Sequence, residues 1–422
     1  MTDLAPPRPS APAARSTSSG SPARRPGPLG WLDLLREALN RPLANYYMLL
    51  VASSMLLVIG LIMVASSSSV FAYESTGNSY SVVLRQVTWV ILGLPCAWVA
   101  SRLPYAWIRR LAYPAYAFAL VLLLLTWQFG TVVNGNQNWL VLGPVRIQPA
   151  EIAKLALVLW AAHVYAHKER ALGRLHHIMV PVIPGFVLAT GLVVIGRDLG
   201  TALVFFGILL GLLWAVGAPA RLFALAALVI SSAALFLATT SSERRERLMG
   251  FTDPLKDFND SGWQPAHGLF ALSSGGWFGE GIGASRQKWG NSLGQAAHTD
   301  FIFAVLGEEL GLVGALLVVG LFLTIAFAAI RVATHTADPF VRYLCFGIVV
   351  WLLGQMIINV GMVLALLPVI GIPLPLVSYG GSALLPSLVA LGLLVGAARR
   401  EPAAARALAA RRRTRSAGLA GR

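Results

Sequence analysis

The chain has 422 residues, of which 56% are hydrophobic and only 12% are charged. This balance excludes an ordinary soluble globular domain and predicts an all-α polytopic membrane protein. The formal net charge of +15 is high enough for nucleic-acid binding. However, the basic residues lie in the tails and in alternate loops and form no single basic patch with aromatic residues, so no nucleic-acid partner is expected.

The two ends of the chain differ in composition from its middle. Residues 1–45 are rich in Pro, Ser, Ala and Arg, which predicts a disordered cytoplasmic tail. Within it, residues 31–35 are compatible with a short interfacial helix or a plain linker. Residues 400–422 form a basic tail that suits the anionic inner leaflet. The transmembrane domain is therefore placed at residues 46–399.

Long apolar runs recur between the tails, and about 20 apolar residues suffice to cross a bilayer as a helix. Ten crossings are predicted, at 46–67, 84–102, 111–128, 149–166, 178–196, 199–217, 220–239, 301–331, 340–366 and 375–398. Basic residues such as Arg109, Lys168 and Arg331 mark alternate connections as cytoplasmic, and the even count places both termini inside. Residues 240–299 then form a large extracytoplasmic loop between crossings seven and eight.

Ionisable residues gather at the outer ends of the predicted crossings, where each needs a functional or structural explanation. Glu151 and Lys154 open the fourth crossing, and their spacing of three allows them to pair on one helical face. Arg197 and Asp198 lie in the next outer turn. The other ionisable residues are His298 and Asp300, with Glu308 and Glu309 roughly 12–13 Å deeper at about 1.5 Å per residue. The polar Ser378 lies near the outer start of the last crossing. Segments that are distant in sequence therefore converge on one membrane face.

Each of these residues also has a structural interpretation. Asp198 and Asp300 each precede an apolar helix and could serve as N-caps. Glu308 and Glu309 are expected to hold the eighth crossing against polar neighbours. His267 and His298 lack metal-ligand spacing, so no zinc site is expected. Two cysteines within apolar runs, Cys96 and Cys345, predict no disulfide.

Five motifs occur in a fixed order between about residues 45 and 400. They are Asn134-Gly135-Asn136-Gln137-Asn138-Trp139, Gln148-Pro149-Ala150-Glu151-Ile152-Ala153-Lys154, Asp198-Leu199-Gly200-Thr201, His298-Thr299-Asp300 with Gly307-Glu308-Glu309-Leu310-Gly311, and Pro373-Leu374-Pro375-Leu376-Val377-Ser378-Tyr379-Gly380-Gly381-Ser382. Together they resemble the SEDS family of shape, elongation, division and sporulation proteins, the FtsW, RodA and SpoVE group.

The resemblance implies a ten-helix fold and a peptidoglycan glycosyltransferase that acts on lipid II and undecaprenyl-diphosphate-linked glycan. It also implies a class B penicillin-binding protein and other divisome proteins as partners, in a plasma membrane with lipid around the helices. The family's catalytic aspartate corresponds to Asp300, and its Glu and Lys in the second motif correspond to Glu151 and Lys154. The long N-terminal tail and Gly307-Glu308-Glu309 favour the division branch, and hence the septum.

The chemistry of glycan synthesis agrees with this assignment. Making a β-1,4 link from an α-linked diphosphate donor inverts the anomeric carbon, so one displacement with one general base suffices. Asp300 is the candidate base. The departing diphosphate needs positive charge, from Lys154, Arg197, Arg286, Lys288 or a divalent cation, Mg²⁺ or Mn²⁺. Other candidate substrate contacts are Glu151, Asp198, His298 and Ser378.

One departure from the family pattern keeps other functions open. Many relatives carry Leu-Pro-Glu-Ala before His-Thr-Asp, whereas this chain reads Gln295-Ala296-Ala297 before His298. The alternatives are an elongation polymerase, a weakly active or non-catalytic scaffold that recruits a transpeptidase, and a lipid II flippase. A flippase would place its polar residues near the bilayer midplane, but here they lie toward the outer surface.

Overall fold

The structure is a computed structural model that describes residues 37–133, 135–143, 145–240, 254–256, 258, 262–289 and 292–410. The chain divides into two units, Met1–Arg41 and Pro42–Arg422. In the first unit, the described residues form a helical turn in which the Asn40 N–H donates to the Glu37 carbonyl. The predicted interfacial helix at 31–35 and most of the predicted tail lie outside the described residues.

Helices in the second unit occupy each of the ten predicted segments. They are α1 (Ala44–Thr76), α2 (Ser81–Arg102), α3 (Tyr105–Phe129), α4 (Pro149–His167), α5 (Leu175–Met179), α6 (Val182–Ile195), α7 (Leu199–Ala215), α8 (Ala220–Thr240), α9 (Trp263–Ser274), α10 (Ile302–His335), α11 (Pro339–Val363) and α12 (Gly381–Arg399). Short 3-10 turns lie at Glu169–Ala171 and Gly294–His298, and residues 402–410 are also helical.

Seven helical spans in the described part are long and apolar enough to cross a membrane: α1, α2, α3, α5 with α6, α10, α11 and α12. α7 and the first part of α8 are apolar but shorter. The protein is thus a multi-pass membrane protein. The count of ten crossings and the cytoplasmic position of both termini stay predictions.

Two of the predicted helices have different bounds in the structure. The segment predicted at 178–196 is broken between α5 and α6, because Pro181 has no backbone N–H to continue the helical ladder. The last helix starts at Gly381, not at 375, because Pro373, Pro375 and the left-handed backbone of Leu376 (φ 65°) hold the preceding segment in an irregular path.

The prediction of an all-α fold missed a small antiparallel sheet. Its strands are β1 (Thr131–Val133), β2 (Asn136–Leu142) and β3 (Val145–Ile147), in the order β1-β2-β3. The Asn-Gly pair at 134–135 is a common two-residue hairpin turn, but the polar residues Asn136, Gln137 and Asn138 that follow it did not suggest a strand. The sheet contacts α3 and α4, and the Gln137 N–H donates to the Gly196 carbonyl at 2.8 Å.

The core of the bundle surrounds α4, which packs against α3, α11 and α12. Pro149 stands in its first turn, where no backbone N–H is needed, and most of its side chains are buried. α10 packs against α1 and α11, and α12 packs against α2. α10 is kinked at Gly311, whose φ of 68° and ψ of −169° are not helical.

Candidate active site

Three distant segments meet at one end of the bundle, called here the site end, where α4, α7, α10 and α12 begin. The Tyr379 N–H donates to the His298 carbonyl at 2.9 Å. Asn359, near the end of α11, donates from Nδ2 to the carbonyl of Asp300 at 2.7 Å and to that of Ile372 at 2.8 Å. The turn before α10 is thereby fixed to the irregular segment before α12.

A glutamine on α2 holds the segment before α12 from the other side. Gln86, which is buried, donates to the Ser378 carbonyl and accepts from the Gly380 N–H, both at 3.3 Å. The Ser378 hydroxyl accepts from the Leu374 N–H at 2.8 Å. A side chain at Gly381 would overlap the indole of Trp89, so α12 and α2 approach each other closely at this glycine. Ser378 therefore closes a turn as well as lining the site.

Asp300 is half-buried directly before α10. Its carboxylate accepts from the Thr299 hydroxyl at 2.7 Å. Burial raises the pKa of Asp300, although the Thr299 hydrogen bond opposes the shift. The N-cap of α10 is Phe301, and no side chain caps this helix, so the capping role considered for Asp300 is wrong. The Asp300 carboxylate is therefore not used to cap α10.

His298 lies buried two residues before Asp300, between the rings of Phe71 and Tyr379. Burial lowers the pKa of His298 to about 4, so its imidazole is neutral at physiological pH. Within the described residues, its Nδ1 has no hydrogen-bond partner. A neutral imidazole at this place can either donate a hydrogen bond to a substrate hydroxyl or accept one from it.

Glu151 and Lys154 pair in the first turn of α4, as their spacing predicts. Lys154 Nζ lies 2.7 Å from Glu151 Oε1, and the two side chains are 1% and 2% exposed. The second carboxylate oxygen, Oε2, has no partner among the described residues. A small cavity with room for about one water molecule lies beside the pair. It is lined by Glu151, Gln355 and Ser378 together with residues of the segment before α12.

Asp198 caps α7 and connects it to the sheet. Its carboxylate accepts from the Thr201 N–H at 3.0 Å, from Asn138 at 2.9 Å and from Gln148 at 3.3 Å. The capping prediction is thus confirmed, and these donors occupy the carboxylate that was also predicted to bind substrate. Arg197, with a left-handed φ of 64°, is exposed at the same turn.

Lys288 was predicted to reach an anionic substrate, but the structure uses its charge internally. Lys288 Nζ donates to Glu309 at 2.9 Å, to the Gly283 carbonyl at 2.7 Å and to Ser66 at 3.1 Å. The lysine side chain is 2% exposed. The prediction failed because the acceptors lie far away in sequence, on α1 and α10. Arg286 remains exposed, 3.6 Å from Glu280, and the arginines of the loop at 244, 245 and 247 lie outside the described residues.

Glu308 and Glu309 hold α10 to this loop, in agreement with their predicted structural role. Glu308 accepts from the Ser285 hydroxyl at 2.5 Å and from the Arg286 N–H at 2.9 Å. Glu309 accepts from Ser66 at 2.7 Å in addition to Lys288. Both carboxylates are buried.

Sequence reasoning missed Asn359 and Gln86. Both are amide side chains within helices of apolar character, and such residues are uncommon enough in membrane segments to invite attention. Their partners are backbone carbonyls and N–H groups of distant loops. Every residue carries such groups, so the sequence does not indicate which of them these amides bind.

A divalent cation was expected from the chemistry. Among the described residues, no group of three or more His, Cys, Asp or Glu side chains is placed to hold a metal. Mg²⁺ commonly uses one or two carboxylates together with substrate phosphates. No all-protein cage for the ion is present in the described part of the chain.

Comparison with known proteins agrees with these observations. The model of a family of cell cycle proteins, the FtsW, RodA and SpoVE family, matches residues 47–402. A probable peptidoglycan glycosyltransferase FtsW of Mycobacterium tuberculosis is 39% identical over 378 residues, which cover 89% of this chain and 71% of that protein. The protein of the same description from Thioalkalivibrio sulfidiphilus is 39% identical over 356 residues, covering 81% of this chain and 86% of that one.

Comparison with solved structures indicates the same family. A chain from a peptidoglycan synthase complex that coordinates polymerisation and crosslinking is similar with a TM-score of 0.68 and 28% identity, covering 84% of this chain and 98% of that chain. The rod shape determining protein RodA of Thermus thermophilus has a TM-score of 0.60 and 26% identity, with 84% and 96% coverage. With the family model spanning nearly all of the helical domain, the chain belongs to the SEDS family of FtsW, RodA and SpoVE proteins.

Proposed function

We propose that this chain is a peptidoglycan glycosyltransferase that polymerises lipid II into glycan strands at the outer membrane face during cell division. One observation carries the proposal above the others. Asp300 stands half-buried at the start of α10, in a turn that is hydrogen-bonded to the segment lining the Glu151 cavity. The relatives that share the whole helical domain carry this activity in their names.

The proposed reaction is a single inverting displacement. The acceptor hydroxyl oxygen attacks the anomeric carbon of the donor, and Asp300 takes the proton from that hydroxyl. The bond between the anomeric carbon and the diphosphate oxygen breaks, and the diphosphate leaves with the electron pair. Because burial raises the pKa of Asp300, its ionised carboxylate is a stronger base than that of an exposed aspartate.

The remaining polar residues of the site end bind and orient the two substrates in this proposal. Glu151 offers its unpaired Oε2 to a single donor group, about the size of one water molecule, in the small cavity, while Lys154 compensates the buried charge. Arg197 and Arg286 are exposed cations that bind the diphosphate in this proposal. Lys288 contributes indirectly, by holding the loop that carries Arg286.

A divalent cation, Mg²⁺ or Mn²⁺, belongs to the proposal as an ion that arrives with the diphosphate and neutralises its charge. Asp300 is the only carboxylate of the turn before α10, residues 298–301, so this turn could supply at most one carboxylate group. Polymerisation assays with and without a chelator, followed by addition of Mg²⁺ or Mn²⁺, test the requirement directly.

The proposed partner is a class B penicillin-binding protein that crosslinks the new glycan. The similarity to a chain of a complex that coordinates polymerisation with crosslinking supports this partner. Other divisome proteins and a septal location are further parts of the proposal, which follow from the relatives named FtsW.

The test is polymerisation by the purified chain, reconstituted with its penicillin-binding protein and supplied with labelled lipid II and Mg²⁺ or Mn²⁺. We expect Asp300→Asn to lower the rate by about 10²–10⁴-fold, which is the usual contribution of general base catalysis. The matched control is Asp338→Asn at the opposite end of the bundle, which we expect to polymerise at nearly the wild-type rate. Full polymer from Asp300→Asn would overturn the role of this residue but leave the activity intact.

A scaffold without catalysis is the second candidate, because Leu-Pro-Glu is missing before His298. Against it, the turn is well formed without these residues: the Phe301 N–H donates to the Ala296 carbonyl at 2.9 Å, and Trp263 donates to the Ser292 carbonyl at 2.7 Å. If wild type makes no polymer where a relative with Leu-Pro-Glu does, the scaffold becomes the better proposal.

A further inference from the structure

The loop between α9 and α10 exchanges backbone hydrogen bonds with α10 at its kink. In an uninterrupted helix, the N–H groups of Leu312 and Val313 would bond to the carbonyls of Glu308 and Glu309. Here Leu312 donates to Gly276 at 2.9 Å and Val313 donates to Trp277 at 3.1 Å. The carbonyls of Glu308 and Glu309 accept instead from the N–H groups of Glu280 at 2.9 Å and Gly281 at 3.1 Å.

This segment, residues 275–288, is called here the glycine loop. A Cβ at Gly275 would overlap the Gly307 carbonyl, and one at Gly279 would overlap the Glu309 carbonyl. Gly279 also has a φ of 79°, which favours glycine. The side chains of Glu308 and Glu309 bind the second half of the loop. The glycine loop and the kinked part of α10 therefore form one rigid element.

The glycine loop exposes an unusual amount of apolar surface. Trp277 is 69% exposed, Phe278 is 82% exposed and Ile282 is 61% exposed. On α10, next to the residues that bind the loop, Leu312 is 43% and Val313 is 50% exposed. Since α10 is a membrane-crossing helix by length and composition, its exposed apolar face contacts lipid. The apolar surface of the glycine loop continues that face.

The depth of the loop follows from the position of Val313 along α10. Arg331 marks the predicted cytoplasmic boundary, and the 18 residues from Val313 to Arg331 span about 27 Å at about 1.5 Å per residue. A hydrocarbon layer is about 30 Å thick, so Trp277, hydrogen-bonded to Val313, lies near its outer boundary. Arg286 of the same loop is 81% exposed. Aromatic side chains with a nearby cation are typical of the membrane interface.

We infer that the glycine loop is a lipid-binding element: Trp277 and Phe278 insert between the headgroups and acyl chains of the outer leaflet and fix the loop against the membrane. The occupant is bilayer lipid. Because α10 begins directly after Asp300, this contact sets how the site end sits relative to the membrane surface. The inference depends on the membrane-spanning fold and the predicted orientation, and not on glycosyltransferase activity.

The test measures where the loop lies in the membrane. Single-cysteine chains are made in a Cys96→Ser background, in which the remaining thiol, Cys345, is 1% exposed. Trp277→Cys and Phe278→Cys are each labelled with a fluorophore that nitroxides quench. The full chain is reconstituted in phosphatidylethanolamine and phosphatidylglycerol vesicles that contain lipids with a shallow or a deep nitroxide. Leu316→Cys serves as the lipid-facing control and Arg286→Cys as the water-facing control.

We expect both loop labels to be quenched most by the shallow nitroxide and little by aqueous iodide, while the label at 286 shows strong iodide quenching. Iodide quenching at 277 and 278 equal to that at 286 would overturn the inference. Labels that neither lipid nitroxide nor iodide reaches would also overturn it, because a second protein surface would then cover the loop.

A second experiment links the insertion to the glycine geometry. Gly279→Ala is combined with the label at 278, and Gly320→Ala on α10, where a Cβ meets nothing within 4 Å, is the matched control. We expect the label to lose its nitroxide quenching in the first protein and to keep it in the second. Unchanged quenching in both proteins would show that the hydrogen-bonded loop does not carry the aromatic residues into the bilayer.

Discussion

Ion pairs of the same kinds occur at both ends of the helix bundle, but they are partly exposed at one end and buried at the other. At the end where α11 begins, Arg109 pairs with Asp338, and the two side chains are 40% and 28% exposed. At the site end, the side chains of the Glu151–Lys154 and Lys288–Glu309 pairs are at most 2% exposed. An exposed pair contributes about 0–1 kcal/mol, whereas a buried pair carries a large desolvation cost and is strongly destabilised when one partner is lost.

The difference indicates what each end is selected for. The opposite end needs only to hold helices together near water, and partly exposed pairs suffice for that. The site end keeps charges where they are costly. Buried acceptor atoms without partners among the described residues occur at both ends, on Glu151 and Asn359 at the site end and on Asn45 at the opposite end. The two ends therefore differ in the burial of their ion pairs and not in unpaired acceptors.

The largest effect is expected from breaking the buried pair on α4. Lys154→Met leaves the Glu151 charge buried and uncompensated, which we expect to cost about 3–5 kcal/mol of unfolding free energy. The double variant Glu151→Gln, Lys154→Met removes both charges and should recover most of that loss. Thermal unfolding of the chain in nanodiscs measures both. Equal losses in the single and double variants would show that the pair is not electrostatically coupled.

A somewhat smaller effect is expected from Asn359→Leu, which removes the donor to the carbonyls of Asp300 and Ile372. Leaving a buried polar group unsatisfied costs about 1–3 kcal/mol, and the turn that holds Asp300 is also released. We therefore expect a lower unfolding free energy together with a lower polymerisation rate. The rate, compared at a temperature where the variant is fully folded, is the informative measurement.

The matched control for Asn359 lies at the opposite end. Asn45 is also buried and donates to both carboxylate oxygens of Glu401, at 3.1 and 3.2 Å. Asn45→Leu should lower stability by a comparable amount and leave polymerisation unchanged. If both variants lose activity to the same extent, the contact between Asn359 and Asp300 has no special role.

The raised pKa of Asp300 should make the unfolding free energy of the chain depend on pH. Because burial raises its pKa in the folded chain, the folded state binds this proton more tightly than the unfolded state does. Its contribution to the unfolding free energy is therefore present at low pH and is lost as the pH rises through the raised pKa. Asn cannot ionise, so Asp300→Asn should become increasingly more stable than wild type as the pH rises.

Thermal unfolding of wild type and Asp300→Asn between about pH 4 and about pH 8 measures this difference, across the range in which a carboxyl with a raised pKa ionises. His298 is present in both proteins, so its own titration largely cancels. Unfolding temperatures that stay parallel across the range would contradict the linkage.

The smallest effect is expected at the opposite end, from Arg342→Met. Arg342 lies 3.2 Å from Glu169, and the two side chains are 36% and 33% exposed. We expect a change of about 0–1 kcal/mol in the unfolding free energy and no change in polymerisation. A loss as large as that of Lys154→Met would remove the distinction between the two ends.

Much of the fold could be predicted because the length of an apolar run indicates a membrane crossing, and basic residues indicate which connections are cytoplasmic. The pairing of Glu151 with Lys154 followed from a spacing of three within one helix, and the cap at Asp198 from its place before an apolar run. The partners of Lys288 could not be predicted, because Ser66 and Glu309 approach it only through tertiary packing. For the same reason a charged loop residue was interpreted as a substrate contact.

Backbone conformation was the other source of error. The kink at Gly311 and the irregular segment before α12 depend on hydrogen bonds from other parts of the chain, and the apolar pattern of a kinked helix is the same as that of a straight one. The position of Asp300 was predictable from the family motif, whereas its fixation by Asn359 was not.

The crossed hydrogen bonds of the glycine loop also set a kinetic property of the molecule. The amide hydrogens of Glu280, Gly281, Leu312 and Val313 belong to two segments that can separate only together. In deuterium exchange they should therefore open as one cooperative unit, with a common rate across a loop and a helix that lie 32 residues apart in the chain (from 280 to 312). A ligand that stabilises the site end should slow deuterium exchange at all four amides together, so their common exchange rate would report substrate binding.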